Sequence, residues 1–237
     1  MTTGCERCTR TPGWELVVVD GVSRLRRCGC WTRAHAAPAS VPDEFREARW
    51  ATWRRTPDNG HALDTAREFV RRAGGLDLFL CGPVGTGKTR LACTALNEAW
   101  RSGELSARFV RVSHLLLRLQ PATATEGAES FDRLAAVRLL VLDDLGAERG
   151  EATDYTRRTL LMLYEARRDE GLRTIWTSNK TPAEVGAFMG DDRLASRIAG
   201  WCRVVSLDGP DWRLRGDSLQ LAAERTGDGK AVAGRGA

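Results

Sequence analysis

Residues 82 to 89 read Gly-Pro-Val-Gly-Thr-Gly-Lys-Thr and fit the spacing G-x-x-x-x-G-K-[ST]. Each residue type there has a physical purpose. A glycine-rich stretch over Gly82, Pro83, Val84, Gly85, Thr86 and Gly87 lets backbone N–H groups curl inward around phosphate oxygens. A helix opening at Lys88 adds the partial positive charge of its N-terminus. The Lys88 ammonium can reach the β- and γ-phosphates of a nucleotide, and the Thr89 hydroxyl can ligate Mg²⁺. The competing reading is a fortuitous glycine turn. The apolar run "LDLFL" before the stretch and the helical pattern after it argue for the cradle.

A second stretch, "LLVLDD", follows about fifty residues later. Four apolar residues predict a central strand, and Asp143 ends it where ligands gather on an open α/β sheet. Asp143 is suited to hold Mg²⁺, and Asp144 to orient or deprotonate an attacking water.

Of seven cysteines, Cys5, Cys8, Cys28 and Cys30 lie in the first thirty residues, as C-x2-C and C-x-C. Between them "WELVVVDGVSRLRR" predicts a hairpin turning at Asp20-Gly21. Closing that hairpin brings the two pairs together, as tetrahedral zinc requires. Cys81, Cys93 and Cys202 occur singly and are expected in the core. His35, His61 and His114 fall in a linker, a helix and a strand end, with no pattern suited to catalysis.

The 237 residues allow one ordinary domain plus a small module, and 42% hydrophobic residues can fill a core. The net charge of +5 admits a nucleic-acid partner without demanding one. Positive charge is nearly all arginine, lysine occurring only at Lys88, Lys180 and Lys230. The start lacks an apolar leader, and no run approaches the roughly 20 apolar residues of a membrane span, so a cytoplasmic location is expected.

Four segments are expected: a zinc module over 1–35, a linker over 36–60, the main domain over 61–215 and a disordered tail over 216–237. In the linker "EFREARWATW" predicts a short helix whose Phe45, Trp50 and Trp53 pack on the main domain or, less simply, stack on a nucleotide base. Helices are predicted in "HALDTAREFVRRAGG", "KTRLACTALNEAWRSG", "SHLLLRLQ", "SFDRLAAV" and "DYTRRTLLMLYEARRDEG". Strands are predicted in "LDLFLC", "ARFVRV", "RLLVLDD" and "LRTIWTSN", and a loop in "PATATEGAES". This alternation makes a parallel sheet with helices on both faces.

With these motifs in place, the chain resembles the DnaC/IstB-like branch of the AAA+ ATPases over residues 61 to 215. "CGPVGTGKTRLACTALNEAWRSG", "RFVRVSHLL", "LLVLDDLGAE", "TIWTSN", "RLASRI" and the terminal "DWR" carry the likeness. It implies an α/β AAA+ fold with little or no C-terminal lid. It also implies roles beyond the spacing. Asn179 matches sensor 1, which contacts the γ-phosphate or the attacking water. Arg197 matches the arginine finger that reaches a neighbouring subunit's ATP, with Arg193 as the second candidate. Arg213 matches sensor 2. Each also has a plain reading: Asn179 as the cap of the helix opened by "TPAEV", the two helix arginines as a solvated face, Arg213 as a tail charge. AAA+ proteins usually carry Asp-Glu where this chain, like some helicase loaders, has Asp143-Asp144; the shorter aspartate implies slow hydrolysis.

The resemblance implies an ATP- and Mg²⁺-dependent switch. It would load a DnaB-type replicative helicase onto single-stranded DNA and act as a homo-oligomer through the ATP interface. An IstB-like helper of a DNA transposase is the alternative. A non-hydrolysing ATP-binding module and a small-molecule kinase are further readings. The kinase is disfavoured by the lack of an arginine-rich lid and of an acceptor site.

Overall fold

The computed structural model describes residues 14–19, 22–27, 40–72, 75–103, 106–119, 124–147 and 150–214. The four N-terminal cysteines, His35 and the segment after 214 lie outside them.

Strands β1 (Trp14–Val19) and β2 (Val22–Arg27) pair antiparallel from Trp14↔Arg27 to Val19↔Val22. That register leaves two residues for the connection, as "DG" predicts. Cys28 follows Arg27 in sequence and lies, with Cys30, outside the described residues.

The main sheet has five parallel strands in the order β4-β5-β6-β3-β7. These are β3 (Asp77–Cys81), β4 (Ala107–Arg111), β5 (Leu139–Leu145), β6 (Arg173–Ser178) and β7 (Cys202–Ser206). Parallel sheets are covered on both faces, so their strands read as apolar runs. The period-2 alternation divides each strand between two cores. Leu78 and Leu80 of β3, with Leu139 and Val141 of β5, face one core. Phe79 and Cys81, with Leu140 and Leu142, face the other.

Helices α1 (Pro57–Arg71) and α2 (Lys88–Arg101) cover the first core. Helices α3 (Val112–Leu119), α4 (Ala124–Ala135), α5 (Asp154–Asp169), α6 (Pro182–Met189) and α7 (Asp192–Trp201) belong to the other side. Caps fix their starts. Pro57 takes the first position of α1 behind Thr56, and Thr181 and Glu184 form a reciprocal capping box on α6. Among the described residues no helix is long and apolar enough to cross a membrane.

Four sequence expectations change. "EFREARWATW" forms two 3-10 turns, Asp43–Phe45 and Trp50–Thr52, instead of a helix. Long-range partners take its backbone groups: Asn97 Nδ2 donates to the carbonyls of Phe45, Arg46 and Ala48, and Glu98 accepts the Trp50 N–H. The expected loop "PATATEGAES" is helical from Ala124 onward. His114 sits in α3 and is exposed, not at a strand end. β7 had no counterpart in the prediction, because it starts at the residue that caps α7.

Phe45, Trp50 and Trp53 pack against the first core, the plainer of their two readings. Cys81, Cys93 and Cys202 are buried, as expected.

Candidate nucleotide site

β3 delivers the chain to the C-terminal edge of the sheet, and the loop from Gly82 to Gly87 turns it into α2. Left-handed φ values of 133°, 79° and 98° at Gly82, Gly85 and Gly87 make the curl possible. Gly87 is itself the cap residue of α2, so the loop's N–H groups and the helix N-terminus converge. Two of these glycines are also demanded by close neighbours. A Cβ on Gly82 would overlap the Leu207 carbonyl oxygen, and one on Gly85 would overlap the Asp211 carboxylate.

Those neighbours belong to a strap, residues 207–213, that leaves β7 and runs across the loop. The Leu207 N–H donates to the Cys81 carbonyl at 2.8 Å, and the Trp212 N–H to the Gly85 carbonyl at 3.1 Å. Asp211 Oδ1 accepts the Arg213 N–H at 2.9 Å. Arg213 is exposed, and its charge is among those that disfavour protonation of Lys88.

Lys88 is buried, and its Nζ donates to the Gly82 and Pro83 carbonyls at 2.8 and 2.6 Å. An ammonium has three donors, so one remains for an anion in the loop. Burial holds its pKa below the ordinary lysine range, against the pull of Asp144 and Asp143. On the other side the Trp53 ring edges up to Gly87. Its Nε1 donates to Thr94 at 2.9 Å, and the Arg90 guanidinium lies 4.9 Å over the ring.

Asp143 stands two residues before the end of β5, only 2% exposed. Burial pushes its pKa up, while hydroxyl donors on Thr177 and Thr89 pull it back. A carboxylate beside the hydroxyl of the threonine that follows the loop lysine is a hard-oxygen pair suited to Mg²⁺. Asp144 is exposed and has a φ of 66°, among the described residues the one positive φ outside glycine. The register explains it: Leu142 pairs with Trp176 and Leu145 with Ser178, three steps against two, so β5 bulges at the aspartates. The bulge, and Thr177 beside it, were invisible in the sequence, because "DD" reads as a strand end.

Asn179 is exposed just past β6, between the strand carrying Asp143 and the one feeding the loop. It does not cap the following helix, a task performed by Thr181. Arg197 and Arg193 both lie on α7. Arg197 pairs with Glu165 of α5 at 2.5 Å and stacks 5.6 Å from the Trp201 ring centre. Arg193 pairs with Asp191, the cap residue of its own helix. The structure thus gathers the loop, Asp143, Asp144, Asn179 and Arg213 at one edge, with both helix arginines on a separate element.

A family model for IstB-like ATP-binding proteins matches residues 59–220. The chain belongs to this family. Its AAA+ core is an ATP-binding α/β domain. A protein of insertion sequence IS21 from Pseudomonas aeruginosa, described as ATP-binding, is 31% identical over 164 residues, covering 63% of this chain and 59% of that protein. The replication initiator DnaA of Gluconobacter oxydans is 28% identical over 151 residues, 63% of this chain and 30% of that one. The chain thus spans less than two thirds of these relatives. Among solved structures, DnaI is 25% identical with a TM-score of 0.62, covering 72% of this chain and 93% of that one. The DnaC helicase loader has the same fold at 23% identity and a TM-score of 0.61, covering 70% and 100%.

Proposed function

We propose that this protein hydrolyses ATP as an assembly-dependent switch that places a DnaB-type replicative helicase on single-stranded DNA. The observation that carries the ATPase reading is the convergence of the glycine cradle, the Thr89–Asp143 pair and Asp144 on one sheet edge. The cradle N–H groups and Lys88 bind and orient the triphosphate. Thr89 and Asp143 would hold Mg²⁺, which neutralises charge on the β- and γ-oxygens when bound. Asp144 accepts a proton from the water that attacks the γ-phosphorus, the bond to the β,γ-bridging oxygen breaks, and ADP leaves. Asn179 positions that water, Arg213 faces the phosphates, and Arg197 serves a neighbouring subunit's site.

The loader reading draws support from the likeness to DnaC and DnaI and from the paired cysteines at the hairpin. We propose that residues 1–35 form a zinc-bearing partner module, 36–60 a connection and 61–215 the ATPase. A second reading, an ATP-dependent helper of a transposase, is favoured by the family model and the IS21 relative. Affinity capture from the native host in the presence of ATP, read by mass spectrometry, separates them. A replicative helicase retained only with ATP supports loading, and a transposase in its place refutes it. Phosphate release with and without single-stranded DNA tests the hydrolysis itself, and no release under either condition contradicts the ATPase reading.

A further inference from the structure

Thr177 lies in the "TIWTSN" stretch without a role of its own there, yet it touches both aspartates. It lies on central strand β6, 1% exposed, on the same face as Ile175 and across from Asp143. Its neighbours on that face are apolar, and valine has nearly the same shape. The hydroxyl therefore needs a reason, since burying one without partners is unfavourable.

Its hydrogen bonds supply that reason. Thr177 Oγ1 donates to Asp143 Oδ1 at 2.6 Å, and the same oxygen accepts the Asp144 N–H at 2.9 Å. A hydroxyl has one proton and two lone pairs, so one group meets both demands. The first bond fixes the orientation of the Asp143 carboxylate, which also feels the nearby Thr89 hydroxyl. The second reaches the backbone at the bulge, where Asp144 stands left-handed at φ 66°. That conformation is unfavourable for a non-glycine residue and persists only where its surroundings impose it.

We propose that Thr177 is the positioning residue of the ATP site: its hydroxyl aims Asp143 at the Mg²⁺ position and locks Asp144 in the bulge. Asp144 then projects from the strand end at one fixed angle. This inference rests on the ATPase reading above. The plainer alternative is a β-branched strand residue whose hydroxyl is incidental.

Two variants of the full chain separate these readings. Thr177→Val keeps the shape and removes the hydroxyl, and Thr177→Ser keeps the hydroxyl and removes the methyl. In nucleotide-free protein, amide hydrogen exchange at Asp144 should accelerate in Thr177→Val and stay parental in Thr177→Ser. With a fluorescent ATP analogue, Thr177→Val should bind as the parent does in EDTA. It should lose roughly 10- to 100-fold of the affinity gained on adding Mg²⁺. Its kcat should fall by a similar factor, and Thr177→Ser should restore both. Parental exchange and parental Mg²⁺ dependence in Thr177→Val overturn the proposal. So does loss of both in Thr177→Ser, a result that also decides the matter if the valine variant fails to fold. A parent that binds no Mg²⁺–nucleotide contradicts the ATPase reading instead, and the Asp144 exchange still decides whether Thr177 holds the bulge.

Discussion

The Asp211 carboxylate lies against Gly85, in the middle of the phosphate loop, so closely that a methyl group there would overlap it. The strap after β7 is therefore part of the cradle wall, tied down by the Trp212–Gly85 hydrogen bond. Gly85→Ala meets two obstacles: the carboxylate, and a φ of 79° that alanine adopts at a cost of about 1–2 kcal/mol. The variant should unfold at lower denaturant and bind nucleotide more weakly. Denaturant titration with and without ATP checks this, and parental stability with parental affinity contradicts it.

Lys88 and Asp144 should separate binding from chemistry. Lys88→Ala removes the one ammonium in the loop, and charge-assisted hydrogen bonds of this kind are worth about 1.5–3 kcal/mol. ATP affinity should fall by at least tenfold. Asp144→Asn should bind ATP normally yet hydrolyse roughly 100-fold more slowly or worse. Equal hydrolysis by Asp144→Asn and the parent would show that another group takes the proton.

Asp77 tests the buried electrostatics far from the site. It begins β3, is 2% exposed and accepts the Thr174 N–H at 2.8 Å. Burial raises its pKa, and the Thr174 N–H, the nearby Tyr164 hydroxyl and the charges of Arg168 and Arg167 offset only part of that. A carboxyl whose folded pKa lies above its unfolded value holds its proton more tightly when folded. Its contribution is fully present below the unfolded pKa and is lost as pH rises through the folded one. Relative to Asp77→Asn, the parent should therefore weaken as pH rises from acid to neutral. Denaturation curves at several pH values check this, and a difference independent of pH contradicts it.

Much of the fold was readable because its signals are local. Apolar runs gave four of the five sheet strands, and the glycine spacing with its flanking elements gave the loop. The rest depends on distant partners. Asn97 and Glu98 on α2 capture the backbone around Phe45 and Trp50, which overrides helix formation there. β7 holds only five residues and follows α7 without a loop. Thr177 matters only through the register that places it beside Asp143, and Asp211 only because the strap folds back over Gly85.

The cysteines should fall into two classes. Cys81, Cys93 and Cys202 are buried, and burial pushes the Cys202 thiol up to about 12. A thiol reagent should leave these three unlabelled in native protein, since only the thiolate reacts. Cys5, Cys8, Cys28 and Cys30 should be protected by one zinc per chain and become reactive when a chelator removes it. Protein purified without chelator that contains no zinc refutes the metal assignment.

Hydrolysis should require a neighbouring subunit, and mixing two inactive variants measures that dependence. Arg197 is held by Glu165 and Trp201 within its own chain, on a helix apart from the phosphate loop. An arginine supplied across an interface is worth about 10³–10⁵ in rate. Arg197→Ala and Lys88→Ala should each be nearly inactive alone. Mixed in the presence of single-stranded DNA, they should regain ATPase activity, because an intact loop from one subunit meets an intact arginine from the other. Full activity of Arg197→Ala alone, or co-assembled mixtures that recover nothing, would contradict a role for Arg197 at the interface and turn attention to Arg193.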